Sequence, residues 1–451
     1  MVRGGCPAWL WGCGVADVTS GEPVTEDTVF RIGSLTTTIT AVAVMQLWER
    51  DLVDLDAPAN DYLRTFRLVP AKPGFRPATV RHLLTHTAGI GYVRRLSDVL
   101  RPLAGSGDRA RSLMPLAGYY RNGLLVEVDP GTKWVYLREH IFGPLGMEHT
   151  DLVRSERVRS GLASGYVLRS GGLKRVGDYE VPTPGGGGVY STGADMARYL
   201  AALLDMDAHR SVLKPETARS MFQPHFRPDP RIPGMGLAFE PSDEGGYHTV
   251  RKGGTLSGFL SAIALAPDQG MGVVVLTNTG GLDNRGAAEP LATGLLRRLL
   301  DLPDQVIRTG IPPRPETWGQ LCGWYGPDPG PVTNMFFRAL FGAGAEISVH
   351  RGHLTMTPLT PVPAMRHGMR LHPDDPDDPP VFRSENPAYG MTNRVVFRPG
   401  SGNGRSTGQL FMDLFSLRKR PEARNPRRWV TGLAIAGAAA LATRHRRNTP
   451  T

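Results

Sequence analysis

Phe30-Arg31-Ile32-Gly33-Ser34-Leu35-Thr36-Thr37 is the stretch on which the reading of the fold turns. From Thr36 to Arg50, Ile39, Val42, Ala43 and Leu47 fall on one stripe, the spacing of a helix with one buried face. Ser34 therefore stands at a helix N-terminus, where free backbone N–H groups and the positive end of the helix dipole are available. An oxyanion developing there would be stabilised, as an acyl-transfer nucleophile requires. A serine in that position is more commonly a plain N-cap, so its surroundings have to decide.

Helical and strand patterns alternate outward from this stretch, from Ala16 to about Leu300. Thr192-Gly193-Ala194-Asp195 spells a capping box, and Met196, Leu200, Leu203 and Leu204 continue a second helical stripe. Phe259 to Ala266 and Gly272 to Thr277 are apolar, β-rich runs around Pro267-Asp268-Gln269-Gly270. That pattern predicts a hairpin with both strands largely buried. Gly185 to Gly188 lacks a following Gly-Lys-Ser/Thr, so it reads as a turn beside the pocket and not as a phosphate loop.

Phe30 to Ser34, the helix Ala41 to Leu47, and Leu83-Leu84-Thr85-His86-Thr87-Ala88-Gly89 together resemble the serine β-lactamase-related family. That family groups class C β-lactamases, D-alanyl-D-alanine carboxypeptidases and esterases of one fold. The resemblance continues in order through Asp129-Pro130-Gly131-Thr132, Tyr136 to Phe142, Pro144-Leu145-Gly146-Met147, Gly187 to Thr192, and Lys252-Gly253-Gly254. It implies an α+β fold, an antiparallel sheet flanked by helices with a mostly helical subdomain, followed by a small β-rich domain. It also implies a serine hydrolase with an acyl-Ser34 intermediate, acting without cofactor or metal on a small-molecule ester, amide or peptide-like substrate. Ser34 and a hairpin-strand N–H would form the oxyanion hole, with Lys252 as the surviving cation and Gly253, Gly254 and Thr255 lining the substrate.

The chain departs from the family pattern at two places. The family's serine is followed one helical turn later by a lysine that takes its proton, on the same helix face. Here Thr37 occupies that position, and a threonine hydroxyl cannot serve as general base. The family's Tyr-x-Asn segment follows the Pro-Gly-Thr turn, whereas here Trp134-Val135 runs straight into Tyr136. Tyr120-Arg121-Asn122 spells the motif but lies before that turn, so it reads as coincidence. Losing a proton-transfer member of a comparable serine constellation costs roughly 10⁴- to 10⁶-fold in kcat. Two readings follow: an impaired hydrolase, or an inactive homologue acting as a ligand-binding module or a degenerate gene product. The first recovers if another lysine, Lys252 or Lys133, reaches Ser34.

Composition bounds the remaining possibilities. The 451 residues carry 52 Lys+Arg against 42 Asp+Glu, and only six of the basic residues are lysine. From Arg418 to Thr451 there are nine basic residues and one acid, Glu422, which leaves the first 417 residues near +2. A nucleic-acid-binding body would be basic in its folded part, so nucleic acid is not an expected partner. Trp429 to Thr443 is short of the ~20 residues a spanning helix needs, so the tail reads as a frayed or docked helix, with membrane-surface contact as the alternative. The expected organisation is a hydrolase domain over 1–302, a linker over 303–315, a β-rich domain over 316–417 and a basic tail over 418–451. Cys6, Cys13 and Cys322 read as reduced thiols, and no signal peptide is evident, so a cytoplasmic location is expected. Only 13 residues precede the part matching Gly14 to Val18, so one sheet edge is expected to be missing or unpaired. Asp374-Asp375-Pro376-Asp377-Asp378 reads as a solvated loop, and His86 and His140 have no metal-ligand spacing.

Overall fold

The computed structural model describes residues 1–64, 67–70, 73–90, 135–169, 172–177, 179, 181, 183–205, 207–209, 212–280, 287–303, 307–308, 310–327, 342, 344–360, 368–386, 391–400, 408–412 and 415–426. The chain divides into two compact units at residues 305/306. Tyr120-Arg121-Asn122, Asp129-Pro130-Gly131-Thr132, Lys133 and the tail from 427 onward lie outside the described residues.

The first unit is built on a six-stranded antiparallel sheet. Its strands are β1 (Val2–Arg3), β2 (Cys6–Pro7), β3 (Glu240–Glu244), β4 (Tyr247–Leu256), β5 (Phe259–Ala266) and β6 (Met271–Thr277), in the order β2-β1-β6-β5-β4-β3. The hairpin expected around Pro267 is β5–β6, with Gly270 in the left-handed conformation at the turn. Every residue of β5 is buried because both sheet faces are covered. Ile263 and Leu265 enter the core with α1 (Thr36–Trp48) and α2 (Gly193–Leu204). Ala262, Ala264 and Ala266 alternate to the other face and pack on α3 (Ala288–Leu299).

The sheet edge expected to be missing is filled by β1 and β2. Val2 pairs with Gly272 and Arg3 with Met271. Each edge strand is only two residues long, and Pro7 lacks an N–H to offer, so the edge is blunted.

Two helix expectations need correction. In α1 the buried residues are Thr36, Thr38, Ile39, Ala41, Val42, Met45 and Gln46, while Ala43 and Leu47 are half-buried. Hydrogen bonds pull the polar members inward: the Gln46 amide donates to the Val212 carbonyl at 2.6 Å, and Tyr199 donates to the Thr38 hydroxyl at 3.1 Å. At α2, Thr192 caps as predicted by accepting from the Asp195 N–H at 3.1 Å. The Asp195 carboxylate accepts instead from the His149 N–H and the Thr150 hydroxyl, each at 2.8 Å.

Gly294, on the exposed side of α3, has nothing within 4 Å of where a Cβ would stand. Gly294→Ala is expected to stabilise this unit by about 1 kcal/mol, read as a higher urea midpoint.

The second unit contains the helix Pro315–Leu321 and a closed eight-stranded antiparallel barrel running from Gly323–Pro327 to Phe415–Arg420. Trp318, Tyr325, Phe382, Phe397 and Leu410 fill its core. Arg418, Lys419 and Arg420 belong to the last strand, so the basic tail as drawn from sequence begins inside the barrel. Asp374 is not solvated: it is buried, and its carboxylate takes Arg383 at 2.9 and 3.0 Å and Arg394 at 2.9 Å. No group of residues that could hold a metal, and no helix long and apolar enough to cross a membrane, occurs among the described residues.

Candidate active site

Ser34 lies in a single 3₁₀ turn, Gly33–Leu35, between the strand Val29–Arg31 and α1. That strand pairs with Tyr190–Thr192. Gly33 has φ +53°, a conformation glycine adopts without strain, and a Cβ there would come within 3.0 Å of the Thr255 backbone nitrogen. The approach is equally close from the strand side. A Cβ on Gly254 would overlap the Ile32 carbonyl oxygen and the Ser261 hydroxyl, and would stand 3.0 Å from the Ser34 nitrogen. The Ser261 hydroxyl donates to the Ile32 carbonyl at 2.6 Å and fixes this contact. Half-buried Ser34 is thus laid against Gly254 and Thr255 of β4, backbone to backbone.

Alternation along β4 separates the other predicted residues. Gly253 pairs with Ala262 and faces α3, where a Cβ would meet Glu289 Oε2 at 3.3 Å. Lys252 pairs with Ile263 and shares the face of Gly254, with only 7 % of its surface exposed. Its Nζ donates to Glu240 Oε1 at 3.5 Å, and Arg251 reaches the other oxygen of the same carboxylate at 3.6 Å. Glu240 thus bridges two cations. His86, in the left-handed conformation at φ +56°, keeps an exposed edge near this group. Desolvation of its ring, helped by the Lys252 ammonium and opposed by Glu240, lowers its pKa to about 4. His86 is therefore neutral at pH 7. Glu240 was not found from sequence, and His86 was named there only within the Leu83 to Gly89 motif: the two are distant along the chain and meet at Lys252 only through the fold.

Thr37 Oγ1 donates to the Ser34 carbonyl at 2.6 Å. A threonine in the first turn of a helix commonly satisfies its hydroxyl on the i−3 carbonyl, and here that bond commits the Thr37 proton. Two more threonines secure the neighbouring turn. Thr40 Oγ1 donates to the Gly185 carbonyl at 2.7 Å, and the Val189 N–H donates to Thr36 Oγ1 at 3.1 Å. Together they hold Pro184–Gly187 beside the serine turn, where a Cβ on Gly187 would be 3.9 Å from the Gly33 carbonyl carbon.

A second cation lies next to the serine turn and was also missed. Arg31 is buried, with its guanidinium carbon 4.1 Å from the centre of the Tyr179 ring and 5.4 Å from that of Tyr190. An arginine next to an apolar strand carries no sequence signal for such enclosure.

A family model described as Beta-lactamase matches residues 1–296. A human beta-lactamase-like protein is 29% identical over 298 residues, 58% of this chain and 56% of that protein, so the chain spans little more than half of that relative's length. A beta-lactamase of Yersinia enterocolitica is 26% identical over 311 residues, covering 59% of this chain and 77% of that protein. Among solved structures, the octameric penicillin-binding protein homologue from Pyrococcus abyssi superposes with a TM-score of 0.54 at 21% identity, over 93% of this chain and 94% of that one.

Proposed function

This chain belongs to the beta-lactamase family, and from that premise we propose that it is a serine hydrolase working through acyl-Ser34, with turnover strongly reduced by the loss of its proton acceptor. Its substrate is a small-molecule ester, amide or peptide-like compound. Ser34 is the nucleophile, and the backbone of Gly254 and Thr255 supplies the wall against which an oxyanion is held. Lys252 contributes positive potential near the site. Because its amine is tied to Glu240, it is not the base.

The observation that carries the reading is the 2.6 Å hydrogen bond from Thr37 Oγ1 to the Ser34 carbonyl. It leaves the nucleophile's framework in place and puts a proton donor, already committed, where an acceptor is needed. The same bond favours the inactive homologue as the second reading, and one experiment separates them. Labelling by a fluorophosphonate probe, followed by intact mass, is expected to be slow but complete in the native chain and absent in Ser34→Ala. No labelling of the folded native chain would replace the hydrolase with a ligand-binding homologue. Labelling that survives Ser34→Ala would place the nucleophile elsewhere.

A further inference from the structure

Among the described residues, Val69 is the most exposed large apolar side chain, at 82 %, and Phe75 on the same loop is 60 % exposed. Single apolar residues in water are ordinary on a protein surface, so the setting of these two has to carry the argument. Their loop, residues 62–78, is braced at its base. Pro58 forms an antiparallel bridge with Thr79, and the Ala59 N–H donates to the Ala78 carbonyl at 2.8 Å, which pinches the two ends together. Just inside this neck, Asn60 holds Leu68 twice: its amide donates to the Leu68 carbonyl at 2.9 Å, and its side-chain oxygen accepts from the Leu68 N–H at 2.7 Å. Pro70, Pro73 and Pro77 restrict the backbone beyond that clasp. The apolar side chains are therefore held out from an anchored base, next to Val80, which is buried in the core.

The charge of the loop is one-sided. Residues 62–78 hold Arg64, Arg67, Lys72 and Arg76 and no acid, whereas the first 417 residues together come only to about +2. Arg64, Arg67 and Arg76 are exposed, and none of them forms an ion pair among the described residues. The nearest acids in sequence stand at or before the neck. Asp56 is taken by Arg81 through two hydrogen bonds of 2.7 Å, Asp54 accepts from the Asp56 N–H, and Asp61 ends the turn Ala59–Asp61. Beyond that turn the loop offers cations interleaved with apolar side chains.

That combination selects among occupants. A second copy of the loop would set like charges against each other. Nucleic acid would satisfy the arginines and leave the aliphatic Val69 in water. An anionic bilayer answers both features, since its phosphates face the cations and its acyl boundary takes the apolar side chains. We propose that the loop 62–78 is a docking surface for an anionic phospholipid bilayer, with Val69 and Phe75 entering the headgroup boundary and Arg64, Arg67 and Arg76 lying against lipid phosphates.

The test is cosedimentation of the full chain with vesicles of phosphatidylcholine, and with vesicles of equimolar phosphatidylcholine and phosphatidylglycerol, at about 0.1 M salt. The anionic vesicles are expected to bind the native chain at least about tenfold more tightly. Combining Arg64→Gln, Arg67→Gln and Arg76→Gln is expected to lower that binding at least about tenfold, since each cation held at an anionic surface contributes roughly fivefold. Combining Val69→Asn with Phe75→Asn is expected to lower it by at least about fivefold at unchanged charge, which separates insertion from plain attraction. Both combinations are expected to leave the urea midpoint unchanged, because the side chains already lie in water. Equal or undetectable binding of the folded native chain to the two vesicles overturns the proposal. So does binding that survives in either combination, which would assign it to other cations such as those of the C-terminal tail. Capture by a single-stranded DNA oligonucleotide without capture by anionic vesicles overturns it in favour of nucleic acid.

Discussion

Thr37→Lys is expected to raise the rate of Ser34 acylation by about 10² to 10⁴, the range general-base assistance supplies in other enzymes. The substitution puts an amine one helical turn beyond the serine on the same face of α1, the i,i+3 relation in which side chains meet. Thr37 is half-buried, so the longer side chain is not confined to the core. Its structural cost is one hydrogen bond to the Ser34 carbonyl, about 1 kcal/mol, partly offset by the better helix propensity of lysine. The form of a lysine that can accept the serine proton is its neutral amine, so the gain is expected to grow as pH rises through that amine's pKa. Pseudo-first-order fluorophosphonate labelling and p-nitrophenyl ester hydrolysis both read it. Rates unchanged from the native chain would mean that a second proton-transfer group, and not position 37, limits the chemistry.

Gly254→Ala is expected to destabilise the first unit by about 3 kcal/mol, while Gly253→Ala changes it by less than about 1 kcal/mol. The two glycines are neighbours on β4 and the change is identical, so the difference comes from what each face meets. On the Gly254 side the new methyl runs into the Ile32 carbonyl and the Ser261 hydroxyl that donates to it. Neither can yield without moving the serine turn. On the Gly253 side the nearest atom is the end of the Glu289 side chain at 3.3 Å, which can swing aside. Urea denaturation of both variants reads the contrast, and equal midpoints would mean the β4 approach to Ser34 is looser than described. Labelling of Ser34 is expected to fall in Gly254→Ala alone, since only there is the Ser34 nitrogen crowded.

Much of the architecture was legible because hydrophobic period and turn residues agree over long runs. The β5–β6 hairpin is the clearest case: two apolar β-rich segments enclose Pro267 to Gly270. The edge strands Val2–Arg3 and Cys6–Pro7 were not legible, since two residues cannot show an alternation. The buried face of α1 was misjudged where Thr36, Thr38 and Gln46 turn inward, because a polar side chain is buried when a partner awaits it and sequence does not display the partner. The candidate site divides along the same line. Ser34, Gly254 and Thr255 are local to motifs and were named. Glu240 beside Lys252, and Tyr179 over Arg31, are tertiary juxtapositions that leave no spacing to read. Asp374 reads as solvated from sequence for the same reason, its two arginines lying on later strands.

The barrel of the second unit closes because its first strand pairs with its last, Trp324 with Arg420. Every other ladder in the ring joins strands that are neighbours in sequence. The closing ladder must instead wait until the ends of the whole unit meet, and it bears the chain-closure entropy of the segment alone. A ring has no outer strand to fray, so opening any one seam exposes two edges at once. The unit therefore assembles late and by a long-range step, and once closed it comes apart all together.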